Sequence, residues 1–459
     1  MRFDTRRASR GIQPCELGGP APPIRSFWIG GFEGADHING AGHALDPATA
    51  NDHLMQAESD YALLARAGVR TVRESLGWRL TETSDGFDFS RVRKLTAAAH
   101  KNGIQILWTL MHYGVPADVD YLDEKFVARF VRFAEAAARE IARVSSASDA
   151  APIYTPINEI NFIAWAVAQT DLIFPYRGDA RADALGFELK RRLVRATLLA
   201  MEAIRAIDPS ARFMHVDPVV HVVAPDDAPE LVALATTVRA YQWQSWDMLT
   251  GRIAPELGGR PDAIDFIGVN HYHSSQWEVG TERRLEWHLR DPRRAPLAEL
   301  LIEVHQRYQL PIVIAETGHF GAGRSQWFDE MAREVFRAHE LGVPVHGFCM
   351  YPVIDRCDWN LCDHWHNSGL WDIPAEPDGT RRKRLLDWRY ARALKRWQRR
   401  FAGSSHASRQ IKTLMPESVP GVPAGEDVGE LAAFSGALGR ERRPVEQLAR
   451  SFELDRLTS

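Results

Sequence analysis

Cysteine is scarce in this chain: four in 459 residues, at positions 15, 349, 357 and 362. Such a count makes no disulfide framework, and a reducing, cytoplasmic location is expected. No apolar run approaches the roughly 18 residues that a membrane span requires, so no membrane partner is expected. The basic N-terminal stretch MRFDTRRASRGIQPCELGG lacks the apolar core of a signal peptide. An excess of positive charge is also missing; the formal net charge of −4 gives no general pull toward nucleic acid or anionic lipid. The segment GGFEGADHINGAG, after the first apolar run, lacks the G-x-G-x-x-G spacing of a dinucleotide-binding open sheet.

What is present is an ordinary globular composition, 45% hydrophobic and 25% charged, in a chain longer than one compact core usually needs. One unit recurs along it: helical spacing, glycine, apolar strand, polar loop. Leu54, Ala57, Tyr61 and Leu64 lead to Gly68 and the strand VRTVRES (69–75). Val92, Leu95 and Ala99 lead to Gly103 and IQILWTLM (104–111), and VFRAHELG closes on Gly342 before VHGFCMYP (345–352). Glycine suits the left-handed position that follows a helix. SFWIGGFE (26–33), PIYTPIN (152–158), RFMHVDP (212–218), DFIGVNHY (265–272) and PIVIAE (311–316) complete a set of eight strands. Amphipathic helices at 122–144 and 184–207 are the clearest of the intervening ones. Eight alternations predict a closed (β/α)8 TIM barrel over residues 24–402. Residues 1–23 are expected to form an irregular arm and 403–459 a tail, disordered or docked as short helices. The basic stretch 381–401 reads as a packed helix with a solvated face, its apolar positions Leu385, Trp388, Leu394 and Trp397 turned inward.

Two carboxylates stand at strand tips, where barrels of this kind carry their chemistry. Glu159 closes APIYTPINE and Glu316 closes LPIVIAE. A pair of this sort suits the cleavage of a glycosidic bond, one carboxyl giving a proton and the other acting on the anomeric carbon. Asn158 lies beside Glu159 and is placed to hold a sugar hydroxyl. Arg73, alternating with apolar neighbours, is expected to point into the barrel mouth and keep a nucleophilic carboxylate ionised. Tyr272 can donate to the same carboxylate, and His112 suits a sugar hydroxyl better than a metal. Trp78, Trp165, Trp327, Trp359 and Trp371 follow strands, where a flat ring stacks on a sugar face or packs in the core. Cys357, Cys362, His364 and His366 make C-x4-C-x-H-x-H, which matches no standard zinc pattern and reads as loop lining rather than a metal site.

These segments resemble the family 1 glycoside hydrolases, the β-glucosidase-like retaining enzymes, over about 24–401. TPINE is similar to the family's T-x-N-E-P, with one extra residue, and IAETG to its [IV]-T-E-N-G. TLMHYGVP resembles T-L-x-H-W-D-x-P, VRESLGW resembles R-x-S-x-x-W, and DFIGVNHYH resembles D-F-[IL]-G-[IVL]-N-Y-Y. The resemblance implies Glu159 as acid/base and Glu316 as nucleophile. It implies Arg73, Trp78, His112, Asn158, Asn270 and Tyr272 as substrate-binding residues. Ile160 stands where the family has proline and Thr317 where it has asparagine. Glu33 or His37 takes the place of the family's sugar-binding glutamine, and MYPVIDRCDW offers Asp355 and Trp359 as nearest equivalents of W-S-x-x-D-N-F-E-W. The resemblance implies a carbohydrate substrate and no cofactor. The reading from another class is a barrel that binds a carbohydrate or sugar nucleotide without cleaving it, alongside another sugar-modifying protein.

Overall fold

The computed structural model describes residues 23–146, 149–176, 182–377 and 379–412. Each of the eight expected segments supplies one strand of a closed parallel barrel. They are β1 (Trp28–Gly31), β2 (Thr71–Ser75), β3 (Gln105–Met111), β4 (Ile153–Ile157), β5 (Arg212–Pro218), β6 (Phe266–Asn270), β7 (Ile312–Thr317) and β8 (Val345–Met350). The ring closes where β1 pairs with β2, Ile29 beside Thr71, and with β8, Trp28 beside Phe348. The principal helices are α1 (His53–Arg66), α2 (Ser90–Asn102), α3 (Lys125–Val144), α4 (Ile160–Gln169), α5 (Ala182–Ile207), α6 (Leu297–Tyr308), α7 (Arg324–Glu340) and α8 (Trp388–Lys412).

Period-two alternation along the strands sorts their side chains into two apolar layers. Ile29, Leu107, Ile153, Met214, Phe266 and Val313 form the inner cluster, joined from below by Ile24. Val72, Trp108, Tyr154, Ile267 and Ile314 belong to the larger cluster under the helices. In α3, Phe126, Phe130, Phe133, Ala137 and Ile141 recur every three or four residues and are all buried. Each Phe so buried stabilises the packing by about 1.5–3 kcal/mol. The chain leaves α2 at Gly103, whose φ of 62° is left-handed, a conformation that any Cβ makes costly.

The basic C-terminal helix differs from expectation. α8 begins at Trp388, so Leu385 and Trp388 are 53% and 57% exposed while Leu394 and Trp397 are buried. The inward stripe is Tyr390, Ala393, Leu394 and Trp397, the phase set by the later helix start. Residues 385–386 instead pair with Trp371–Asp372 as a short ribbon. α8 crosses the expected barrel-to-tail boundary at 402. Residues 1–22 of the expected arm, and the tail from 413 onward, lie outside the described residues. Among the described residues, no helix is long and apolar enough to cross a membrane.

Candidate active site

Glu159 and Glu316 stand at the C-terminal tips of β4 and β7, 5% and 3% exposed. Glu159 adopts φ 47°, ψ 59° immediately before α4. Its amide donates to the Val216 carbonyl and its own carbonyl accepts from Ile163, each at 2.9 Å. A non-glycine residue in this region costs of order 1–3 kcal/mol, which the flanking hydrogen bonds sustain. Glu316 lies within β7, in register with Asn270 of β6.

A single hydrogen-bonded network joins the two carboxyls' surroundings. Arg73 donates through Nη1 to Glu316 and through Nη2 to Asn158 Oδ1 at 2.7 Å. That contact sets the Asn158 amide, whose Nδ2 then faces His112 Nε2 at 3.3 Å. Because Nδ2 can only donate, His112 accepts there and its Nδ1–H is directed to Ser75 Oγ, 3.2 Å away. Tyr272 donates to Glu316 Oε2 at 2.7 Å. Asn270, in register with Glu316, sends its amide to Glu159 Oε1 at 2.8 Å. The hydroxyl of Tyr113 meets Glu159 Oε2.

Burial raises the pKa of Glu159 to about 8, with the charge of Glu316 adding and the bonds from Tyr113 and Asn270 opposing. Burial also raises Glu316, while Arg73 and Tyr272 pull it down. The Arg73 side is pushed up: burial works against its charge, and the carboxylate of Glu316 outweighs that. Arginine does not give up its proton in proteins, and neutralising Glu316 would strand a buried guanidinium, so we assign Glu316 as ionised. His112 is held well below the usual imidazole range by burial and by Arg73, hence neutral.

The structure thus brings together Glu159, Glu316, Arg73, His112, Asn158, Asn270 and Tyr272. Glu33 lies one contact further, accepting from Tyr351 at 2.9 Å and paired with Arg356 at 2.9 Å. Trp359 edges the mouth, 5.5 Å from the Tyr113 ring and 5.2 Å from His37. Its indole Nε1 and the Nδ1 of His37 are buried and have no hydrogen-bond partner among the described residues. Two expected residues are placed elsewhere. Trp78 lies wholly inside the outer aromatic layer, against Phe130 and Phe133, its N–H on Glu82 at 2.6 Å. The Asp355 carboxylate holds its own loop, accepting from Ser368 at 2.8 and 2.9 Å and from Asn367 at 3.1 Å. Trp327 and Trp371 are core residues too. Among the described residues no group of three or more His, Cys, Asp or Glu is arranged to hold a metal; His366 engages Asp358 at 3.1 Å.

Tyr113, Tyr351 and Arg356 were not singled out in the sequence. Strand alternation from His112 turns Tyr113 outward, but β3 ends at Met111 and the rule lapses there. Surface concavities of about 560 Å³ beside Trp243 and 440 Å³ beside Trp365 contain neither glutamate.

No family model matches the sequence, nor does any curated protein. Solved structures match the fold. The AHE enzyme from Alicyclobacillus herbarius is 18% identical at a TM-score of 0.64, over 80% of this chain and 97% of that one. The family 1 β-glucosidase from Thermotoga maritima is 14% identical at 0.63, over 80% and 96%. The β-glycosidase from Thermosphaera aggregans is 14% identical at 0.61, over 82% and 96%. At these identities the likeness is one of architecture: this is a (β/α)8 barrel similar in fold to solved β-glycosidases.

Proposed function

We propose that the protein is a glycoside hydrolase that cleaves a β-glycosidic bond with retention, Glu316 as nucleophile and Glu159 as acid/base. The observation that carries the reading is the contrast between the two carboxyls. Glu316 faces a guanidinium and a phenol, both donors, which favour its charged form. Among the described residues no cation pairs with Glu159, and burial beside Glu316 favours its protonated form. Two carboxyls whose surroundings push them to opposite protonation states are suited to opposite roles.

In the first step Glu316 bonds to the anomeric carbon as the bond to the leaving oxygen breaks, and the Glu159 proton goes to that oxygen. A water then attacks the same carbon, Glu159 takes its proton, and the bond to Glu316 is released. Asn158, His112, Asn270 and Glu33 surround the sugar, and the free N–H of Trp359 and Nδ1 of His37 offer it hydrogen bonds at the rim. The fold neighbour from Thermotoga maritima has been solved with glucoimidazole, which makes that compound a fitting first ligand for this site.

Proton NMR of a β-glycoside during the first turnovers tests the reading. The β-anomer of the free sugar is expected first, and Glu316→Gln is expected to abolish its release. Release of the α-anomer, or undiminished turnover by Glu316→Gln, sinks the assignment.

A further inference from the structure

Tyr113 is built into the mouth with unusual support. Its ring meets His112 edge-on at 4.5 Å, Phe162 at 5.3 Å and Trp359 at 5.5 Å. Its backbone is pinned to the loop after β1: Asp36 Oδ1 accepts from Gly114 at 2.8 Å and from Tyr113 itself at 3.4 Å. That approach requires glycine at 114, since a Cβ there would fall 2.4 Å from the Asp36 carbonyl oxygen. The phenol so placed ends on Glu159 Oε2, while Asn270 holds Oε1. An amide N–H can only donate, whereas a phenol hydroxyl donates or accepts. Of the two carboxyl oxygens, Oε2 alone has a partner able to hydrogen-bond it in both protonation states.

We propose that Tyr113 is a positioning residue for Glu159, its hydroxyl orienting the carboxyl and selecting Oε2 as the oxygen that carries the exchangeable proton. This rests on the acid/base reading of Glu159. When Glu159 is ionised the phenol donates to Oε2. When it is protonated, Oε2–H points to the phenol oxygen until a departing oxygen takes that place. The phenol keeps its own proton throughout, because burial and the charges of Glu159 and Glu316 oppose its ionisation. The other titratable groups facing Glu159 are Glu316 from β7, Asp217 from β5 and Tyr272 beyond β6.

Tyr113→Phe removes one oxygen and keeps the ring, so Glu159 loses a donor that favours its charged form. Its titration is expected to move up by about one pH unit. Carbon-13 NMR of protein labelled at the glutamate side-chain carboxyls reads this without substrate, the Glu159 signal being identified by its loss in Glu159→Gln. In turnover, the alkaline limb of kcat/KM moves the same way. Phenyl glycosides lose about tenfold or more in kcat/KM, while dinitrophenyl glycosides, whose leaving group departs without a proton, lose little. Tyr113→Leu carries no hydrogen-bonding group and no greater bulk, and is expected to match Tyr113→Phe. A Glu159 titration unmoved in both variants overturns the proposal. If the titration moves but no glycoside is turned over, the positioning stands and the acid/base reading falls instead.

Discussion

Arg73 and Glu316 form an ion pair sealed within the barrel, their side chains 2% and 3% exposed. Removing one partner of such a pair strands a buried charge and costs about 3–5 kcal/mol. Arg73→Met is therefore expected to lower the unfolding free energy by that order in urea titration. The guanidinium also pulls the Glu316 pKa down. Without it Glu316 ionises at higher pH, so the acidic limb of kcat/KM moves up. An acidic limb that stays in place would show that Arg73 does not act on Glu316.

On the proposed reading, Glu159→Ala removes the proton donor and the later base together. A positioned general acid contributes about 10²–10⁴-fold, so kcat/KM on phenyl β-glycosides should fall by that much. On dinitrophenyl β-glycosides, whose leaving group departs without a proton, azide needs no base and should restore kcat by relieving the second step, giving the β-glycosyl azide, identified by NMR. Restoration without that product would move the acid/base role to another residue.

Two tryptophans separate binding from folding. Among the described residues the buried N–H of Trp359 at the mouth has no partner, and Trp359→Phe should raise KM about tenfold, the worth of one hydrogen bond. Trp78 touches only the outer layer, and Trp78→Ala should cost about 3–5 kcal/mol of stability with KM unchanged. Reversed effects in kinetics and thermal unfolding would exchange the two placements.

His53 lies buried between Asp60 at 2.9 Å and Glu74 at 3.0 Å. Burial opposes its charge, yet the two carboxylates outweigh that and raise its pKa from 6.5 to about 9. Phe32 stacks on the ring, Tyr61 donates to Glu74 and Arg384 holds Asp60. A folded pKa above the unfolded one contributes stability below pH 6.5 that is lost as pH rises through 9. The size is roughly 3 kcal/mol, at about 1.4 per pH unit. Wild-type stability should thus decline between pH 7 and 10, and His53→Gln, weaker throughout, should show a flatter profile there. Parallel profiles would mean that His53 is neutral in the folded protein.

The eight strands and both glutamates were legible because period-two apolar runs and glycine stops are local signals. Arg73 could be aimed at the mouth by the same alternation along β2. The rule failed where the chain leaves regular structure. Tyr113 sits past the end of β3, and Arg356 and Asp355 lie in the loop after β8, where no periodicity says which side chain turns inward. Trp78 was misplaced for a related reason: a tryptophan after a strand looks the same whether it lines a mouth or fills a layer. The late start of α8 shifted an apolar stripe whose spacing alone fitted two phases.

The order of apolar and polar residues determined by itself that this chain alternates strand and helix eight times and ends two of its strands on a carboxylate. Only the tertiary structure decided how those carboxylates differ. Arg73 reaches Glu316 from β2, and Tyr113 reaches Glu159 from a loop that Asp36 pins in place. Protonation follows from what stands within a few ångströms in a buried site, and closing the barrel brings together groups that lie far apart along the chain.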